Sequence, residues 1–461
     1  MKSKLLYLLV FSFYFLVSQP SPAQVYHLSL DSCTAWALEH QAAMKNALLN
    51  VEMARETRQA VFTKYFPTLS LNAASFRAAN PLIDASTAND ADNIHITTHY
   101  QGVETDITEA VRQVLQYASV DARLQMLESG TLLSALAVQP IYAGGRIVNG
   151  NRLAELGVQA AELKLAMTTD EVKLNTQEYY WRVVSLHAKV ATLRQAMLLL
   201  DTLERDASAA VNAGVIGKND LLKVRLKKNE LQASEIQLRN GIQLATMALC
   251  QYVGIPYSEN ADYRFDPVPT LPHSELDPES QFSISSDSRT EAQLLDLAVR
   301  AADLQKKMTL GESLPQLAVG ATSFYQNFMG NGMQGNALLF ATLSIPVTAW
   351  WETSHQLRKA DLQRQQALEQ RNDLVEQMAL QNRQAWNEAK EAYAQIAVRQ
   401  QAVDLARENL TEVQHYYQAG LQGMSDLLEA QTLLTQAQNA LTDQYITFQL
   451  KLFRHRQLNS R

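Results

Sequence analysis

Cysteine, glycine and proline are all scarce in this chain of 461 residues, at 2, 17 and 12 respectively. Two cysteines exclude a disulfide-rich scaffold and a thiolate metal cluster. So few helix breakers exclude a loop-rich or all-β domain and leave long helices, which the abundance of Ala, Leu, Gln, Glu, Lys and Arg supports. Positive charge is not in excess either. The formal net charge is −7, so there is no basic patch and no nucleic-acid partner is expected. Beyond residue 23 no apolar run approaches 18 residues, so no transmembrane helix is expected, and a membrane role would have to use strands. Enzyme signatures are missing as well: there is no nucleophile elbow, phosphate loop or Cys-x-x-Cys, and Ser, His and Asp have no triad-like setting. No enzyme and no cofactor is therefore expected. His95 and His99 with Asp90 and Asp92 have metal-like spacing, but they lie in a polar stretch that fixes no third ligand, and no metal site is expected.

What is present begins with an export signal. Lys2 and Lys4 precede an apolar run from Leu5 to Val17, and Ser21-Pro22-Ala23 makes a small-residue cleavage site before Gln24, so residues 1–23 read as a signal peptide. The first cysteine is Cys33, not a residue at the cleavage point, so no lipid anchor is expected.

One stretch is written twice. Ala213-Gly214-Val215-Ile216-Gly217-Lys218-Asn219-Asp220-Leu221-Leu222 returns as Ala419-Gly420-Leu421-Gln422-Gly423-Met424-Ser425-Asp426-Leu427-Leu428, a shift of 206 residues. The same shift superposes Pro140 on Pro346 without a gap. The chain therefore reads as a two-fold internal repeat, residues 24–252 and 288–461, joined by a linker over 253–287 that holds Pro256, Pro267, Pro269, Pro272 and Pro278.

Each half has the same order of elements. In the first, a helix over 29–64 ends at Pro67, and Thr68–Phe76 alternates at strand period with Leu69, Leu71 and Ala73 on one face. A polar excursion over 77–130, with a possible helix from Asp106 to Leu127, leads to a second strand, Leu132–Gln139. A helix then lasts until Ala213, roughly 70 residues or about 105 Å. The glycine turn reverses it into a helix over Asn219–Tyr252, in which Asn219 is the expected N-cap, as Ser425 is in the second half. The second half repeats this with a helix over 288–310, strands over Gln316–Phe324 and Ala337–Ile345, a helix over 349–419 and a last helix over 425–457. Pro67 and Pro315 differ by 248 rather than 206, so the first strand-to-strand loop is 42 residues longer.

Strands of about nine residues suit a bilayer-spanning β-barrel. Four per chain cannot close one, since about eight is the practical minimum, and open edges are not tolerated in lipid. The expected architecture is mainly α with a small membrane β part. Three chains would supply a 12-stranded β-barrel, and the two shorter helices of the first half, stacked end to end beside the long one, would form a helical wall about 100 Å tall. Leu427, Ala430, Leu434, Ala437 and Leu441 follow a coiled-coil spacing suited to side-by-side helices. A periplasmic coiled-coil structural or adaptor protein is the alternative. An adaptor should carry a single hairpin flanked by a compact β domain, whereas this sequence has two hairpins and four membrane-length strands.

The chain resembles the outer membrane efflux protein family, the TolC-like outer-membrane channels, across its mature length. The resemblance is carried by the duplication, by Phe66-Pro67-Thr68-Leu69-Ser70 and Leu314-Pro315-Gln316-Leu317 at the helix-to-strand junctions, by Gln139-Pro140-Ile141-Tyr142-Ala143-Gly144-Gly145, and by the two glycine turns. It implies a homotrimeric barrel in the cell outer membrane, continuous with a periplasmic helical tunnel. Such a channel is a passive duct in a tripartite efflux or type I secretion system, fed by a periplasmic adaptor and an inner-membrane transporter. It further implies a pore constriction at the second turn, matched by Tyr417, Asp426 and Glu429, with Asp220 as the partner of Tyr417. An arginine of the family's gate is replaced by Gln422, so a charge-paired lock is not expected. Ala213, Gly214, Val215, Gly217, Gly420, Leu421 and Gly423 match the tips where the adaptor docks. Cys33 opens the first helix and Cys250 closes the one stacked beneath it, so a disulfide between them is possible, as are two buried free thiols.

Overall fold

The computed structural model describes residues 25–77, 79, 83–86, 97–100, 103–106, 123–126, 129–267, 289–327, 334–347 and 349–459. The expected signal peptide, His95, Asp90 and Asp92 lie outside them. The elements in chain order are β1 (Val25–Leu28), α1 (Leu30–His40), α2 (Ala42–Phe62), β2 (Thr68–Arg77), β3 (Ile83–Ser86), β4 (Thr97–Tyr100), β5 (Val103–Asp106), β6 (Arg123–Met126) and β7 (Ser129–Ala143). They continue with α3 (Arg146–Asn212), α4 (Lys218–Val253), β8 (Asp262–Phe265), α5 (Thr290–Glu312), β9 (Gln316–Asn327), β10 (Gln334–Ser344), α6 (Ala349–Gln418) and α7 (Met424–Asn459). Two compact units result. One comprises Arg55–Gly157 and Arg300–Gln366, the other Met1–Ala54, Val158–Val299 and Ala367–Arg461.

The first of these units is built on a four-stranded antiparallel sheet of order β10-β9-β7-β2. Register aligns Leu69, Ala137, Ala321 and Leu339 across all four strands, so the apolar residues of alternating strands share one face. That face is open: Leu71 is 79% exposed and Leu339 86%. β7 carries an irregularity between Pro140 and Tyr142, where the proline removes a ladder donor. Just beyond, Gly144 and Gly311 cross backbone to backbone. A Cβ on Gly144 would lie 2.1 Å from the Gly311 carbonyl oxygen and one on Gly311 2.4 Å from that of Gly144, so neither position admits a side chain. Helix-to-helix ties in this unit include Arg58 with Glu155 at 2.6 Å and Lys306 with Asp361 at 2.7 Å. The Trp350 indole N–H donates to the Ser313 carbonyl at 3.0 Å.

The second unit is helical apart from β1 and β8, which pair in parallel with Tyr26 opposite Tyr263. This clip joins residues just after the expected cleavage site to the linker. One buried cluster beneath it gathers Leu28, Cys33, Ala37, Val172, Tyr180, Val183, Leu249 and Val253. A second cluster lies where the long helices meet the turns.

Several expectations are corrected. The helix over 29–64 is broken at Gln41, whose extended backbone (ψ 131°) separates α1 from α2. Asp106 ends a strand and Arg123–Met126 forms a strand with Ile83–Ser86, so the described residues of the helix expected over Asp106–Leu127 are β; residues 107–122 and 127 lie outside the described residues. No helix is expected to cross a membrane, yet one, Arg146–Asn212, is long and apolar enough to do so by length and composition, with an 18-residue window of mean hydropathy 1.2. That helix buries Val183, Val184, Val190, Leu193 and Leu200 in the helical core, which is why it is so apolar. Helix α4 starts at Lys218 with Gly217 as N-cap, not Asn219, and α7 starts at Met424, before Ser425.

Candidate functional site

The two glycine turns share one backbone solution. Gly214 and Gly420 both have φ of 74°, the left-handed region that closes a helix. Val215 N–H donates to the Ala210 carbonyl at 2.9 Å, and Leu421 N–H to that of Tyr416 at 2.8 Å. Gly214 N–H reaches Val211 and Gly420 N–H reaches Tyr417, each at 3.0 Å. The next helix opens alike in both, with Asp220 N–H on the Gly217 carbonyl and Asp426 N–H on that of Gly423. A Cβ at Gly214, Gly217 or Gly420 would meet nothing within 4 Å, so the tips project into open space. Val215 and Leu421 are 75% and 71% exposed there.

Behind the turns the helices share one core. Leu200, Leu203 and Ala207 of α3, Leu221 and Val224 of α4, Leu410 and Val413 of α6, and Leu427 and Leu428 of α7 are buried together. Tyr417 packs on the edge of this cluster. Burial pushes its hydroxyl pKa up, and the charges of Asp220 and then Asp206 push it further, so this tyrosine of the second tip sits within the field of acids from the first.

The acids differ in their engagements. Asp220 Oδ1 faces Lys223 Nζ at 3.3 Å, one turn along the same helix. Asp426 Oδ2 instead accepts the Gly423 N–H at 3.1 Å, reaching back to the start of its helix as one half of a capping box. Gln422, Asp426 and Glu429 are all exposed. An acid in the first turn is favoured by the helix dipole in both cases.

Sequence reasoning did not find the ionic brace of the first hairpin. Glu204 accepts from Arg225 Nε and from Lys228 Nζ, both at 2.9 Å, and Lys228 also meets Asp201 at 2.7 Å. The hydrogen bonds from Lys228 and Arg225 hold the Glu204 carboxyl below its usual range. The brace spans two helices, so no local motif announces it; an acid pair three residues apart, Asp201 and Glu204, before the turn and a basic pair three residues apart, Arg225 and Lys228, after it are the only signal. Also unforeseen is a cavity of about 670 Å³ beside β8, lined by His187, Phe265, Pro267, Leu441 and Tyr445.

Cys33 and Cys250 are free, fully buried thiols, and no bond joins them in this structure. Burial pushes the Cys33 thiol up to about 12, reinforced by Cys250 and Asp266. Among the aromatic residues of the junctions, Trp351 is 80% exposed, and Trp350, Tyr142 and Phe66 are about half exposed.

No family model and no curated protein matches this sequence. Solved structures do. The outer membrane protein VceC from Vibrio cholerae is 17% identical with a TM-score of 0.70, over 93% of this chain and 96% of that one. CusC, described through its folding and transmembrane channel formation, is 14% identical with a TM-score of 0.72, over 96% and 97%. The MtrE outer membrane channel of Neisseria gonorrhoeae, solved in an open state, is 15% identical with a TM-score of 0.70, over 93% and 88%. At these identities the likeness is one of fold, and it extends over nearly the whole of each chain. The protein has the fold of the TolC-like outer-membrane efflux channels.

Proposed function

We propose that this chain is the outer-membrane channel of a tripartite efflux or type I secretion system, a passive duct and not an enzyme, which carries cargo from a periplasmic adaptor and inner-membrane pump to the exterior. The observation that carries the reading is the sheet, set in the fold of outer-membrane efflux channels. Its end strands, β2 and β10, have no second partner among the described residues, and its apolar face is exposed. Because each of the three pairings is antiparallel, β10 of one copy laid against β2 of the next continues the pattern. Three copies then give a homotrimer with 12 strands and no edge in lipid. The exposed Trp350, Trp351, Phe66 and Tyr142 at the strand-to-helix junctions suit an interfacial girdle against outer-membrane lipid. The helices form the periplasmic tunnel of a duplicated chain, a reading supported by the matched geometry of the two turns.

The tips are then the periplasmic mouth. Three copies of Asp426 and Glu429 ring the constriction with carboxylates that attract cations and repel one another. Tyr417 links to Asp220 across the hairpins, and Gln422 contributes no charge to a lock. Ala213, Gly214, Val215, Gly217, Gly420, Leu421 and Gly423 present the small and apolar surface that receives the adaptor. A strain lacking the gene is expected to become sensitive to at least one of a panel of dyes, detergents and metal salts, and the wild-type gene to restore resistance. Leu421→Asp should fail to restore it while still forming a trimer. Full restoration by Leu421→Asp contradicts the docking surface, and recovery of the protein as a soluble periplasmic species contradicts the duct.

A further inference from the structure

The cavity beside β8 belongs neither to the turns nor to the sheet. At about 670 Å³ it is the size of a small-molecule site, and α3, α7 and β8 wall it within one helical unit. Four aromatic rings line it: His187 of α3, Tyr263 and Phe265 of β8, and Tyr445 of α7. Three of these rings are held from outside the cavity. Tyr263 is stacked between Tyr26 and Tyr257, with centroids at 5.5 and 5.7 Å, and its hydroxyl accepts the Ser258 N–H at 2.9 Å. Phe265 lies edge-on to the buried Tyr180 at 5.9 Å and 5.4 Å from the His187 ring.

One charge stands at this box without a counter-charge. Asp266, which also lines the cavity, accepts from the Tyr180 hydroxyl at 3.4 Å and returns its own N–H to that hydroxyl at 3.2 Å, a neutral partner. Among the described residues no cation pairs with Asp266. The nearby cations are engaged elsewhere. Arg264 alternates with Tyr263 and Phe265 along the strand, so it turns outward, 64% exposed, and meets Asp262 at 2.9 Å. Lys189 meets Asp443 at 2.8 Å. Burial and the Arg194 charge hold the pKa of His187 down, so its ring is neutral at neutral pH. A second cavity, of about 420 Å³, shares His187 and Tyr263 as its wall and carries the opposite charge, Arg194 and Arg239. Glu235 meets Arg239 at 2.6 Å, whereas Arg194 has no acid partner among the described residues.

We propose that the cavity beside β8 binds an organic cation, an alkylammonium or arylammonium whose head lies among His187, Tyr263, Phe265 and Tyr445 with Asp266 as its counter-ion. Aromatic faces attract a cation that is weakly hydrated, and the carboxylate supplies the full charge. A small inorganic cation gains little, because it needs several oxygen ligands and Val184, Leu441 and Pro267 offer only apolar surface. An anion is repelled by Asp266 and is better placed on the Arg194 side. Bound there, the cation ties β8 to α3 and α7. All the walls come from one chain, so the site does not depend on the channel reading.

The test is calorimetric titration of the full mature chain, in a nonionic detergent, with choline and with its neutral isostere 3,3-dimethylbutan-1-ol. Choline is expected to saturate one site per chain, and the isostere to bind about tenfold more weakly or not at all. Asp266→Asn should weaken choline by about tenfold, and Tyr445→Leu, on a different element, by several-fold. Gln243→Ala, which lines only the second cavity, should leave choline binding unchanged. Thermal unfolding of each variant shows whether the fold is kept, and Tyr445→Leu decides the matter if Asp266→Asn does not fold. No saturable binding of choline by the unaltered chain overturns the proposal. Equal binding of the isostere overturns the role of charge, and loss of binding in Gln243→Ala but not in Asp266→Asn or Tyr445→Leu overturns the location.

Discussion

The two hairpin tips have the same backbone and different chemistry. Both turn on a glycine at φ 74° with matching hydrogen bonds. Behind the first tip, Asp201, Glu204, Arg225 and Lys228 brace α3 against α4 with ions. The corresponding positions behind the second are Arg407, Leu410, Gln431 and Leu434, of which Leu410 is buried in the shared core and Leu434 packs on it. At the turns themselves Lys223 balances Asp220, whereas Glu429 stands where Lys223 would and adds to Asp426. Geometry is thus fixed by a local requirement, a left-handed residue between two helices, while the side chains around it differ. The first tip is a charge-balanced brace and the second a net acidic turn held by apolar packing.

Five variants break or sharpen this contrast, in decreasing order of effect. Leu427→Ala removes a fully buried side chain from the shared core and should destabilise both tips by about 2–5 kcal/mol. Amide exchange is expected to accelerate in α4 and α7 alike, and acceleration confined to α7 would show two separate cores. Gly214→Ala and Gly420→Ala each force a Cβ into the left-handed region, at about 1–2 kcal/mol. Since neither Cβ meets a neighbour, the two losses in thermal stability should be equal; unequal losses would mean that the turns differ in more than side chains. Asp426→Ala deletes the cap on Gly423 N–H, with a cost of up to about 1 kcal/mol. Asp220→Ala loses only an exposed pair with Lys223 and should have a smaller effect, which exchange at the first turn of each helix would compare.

The smallest effect is one of pH and salt. Glu204 has a depressed pKa in the folded chain, so its contribution is present above the ordinary carboxylate pKa and is lost as pH falls through the lowered value. Amides of α3 and α4 near the brace should lose protection in acid below about pH 4, or at high salt, while those around Leu410 and Leu434 keep theirs. Equal loss at both sites would remove the distinction.

Much of this contrast was legible in the sequence, because long helices, glycine turns and alternating strands are local signals. Periodicity placed the strands that begin at Thr68 and Gln316 and the helix that begins at Ala349 at their observed first residues. What escaped was non-local or short. β1 and β8 are four residues each, too brief to show alternation, and exist because they pair with each other across more than 200 positions. The break at Gln41 carries no glycine or proline. Gly217 rather than Asn219 caps α4, since the turn already supplies extended backbone there. At the tips, the acids and glycines could be named from the motif, whereas the reach of Asp426 back to Gly423 and the bracing of Glu204 by two helices depend on distances that only the folded chain sets.

The central claim, a channel closed by three copies in the outer membrane, is tested most directly by the native mass of the protein extracted with detergent from isolated outer membranes. The account predicts three times the mass of one mature chain; a monomer released without detergent would contradict it.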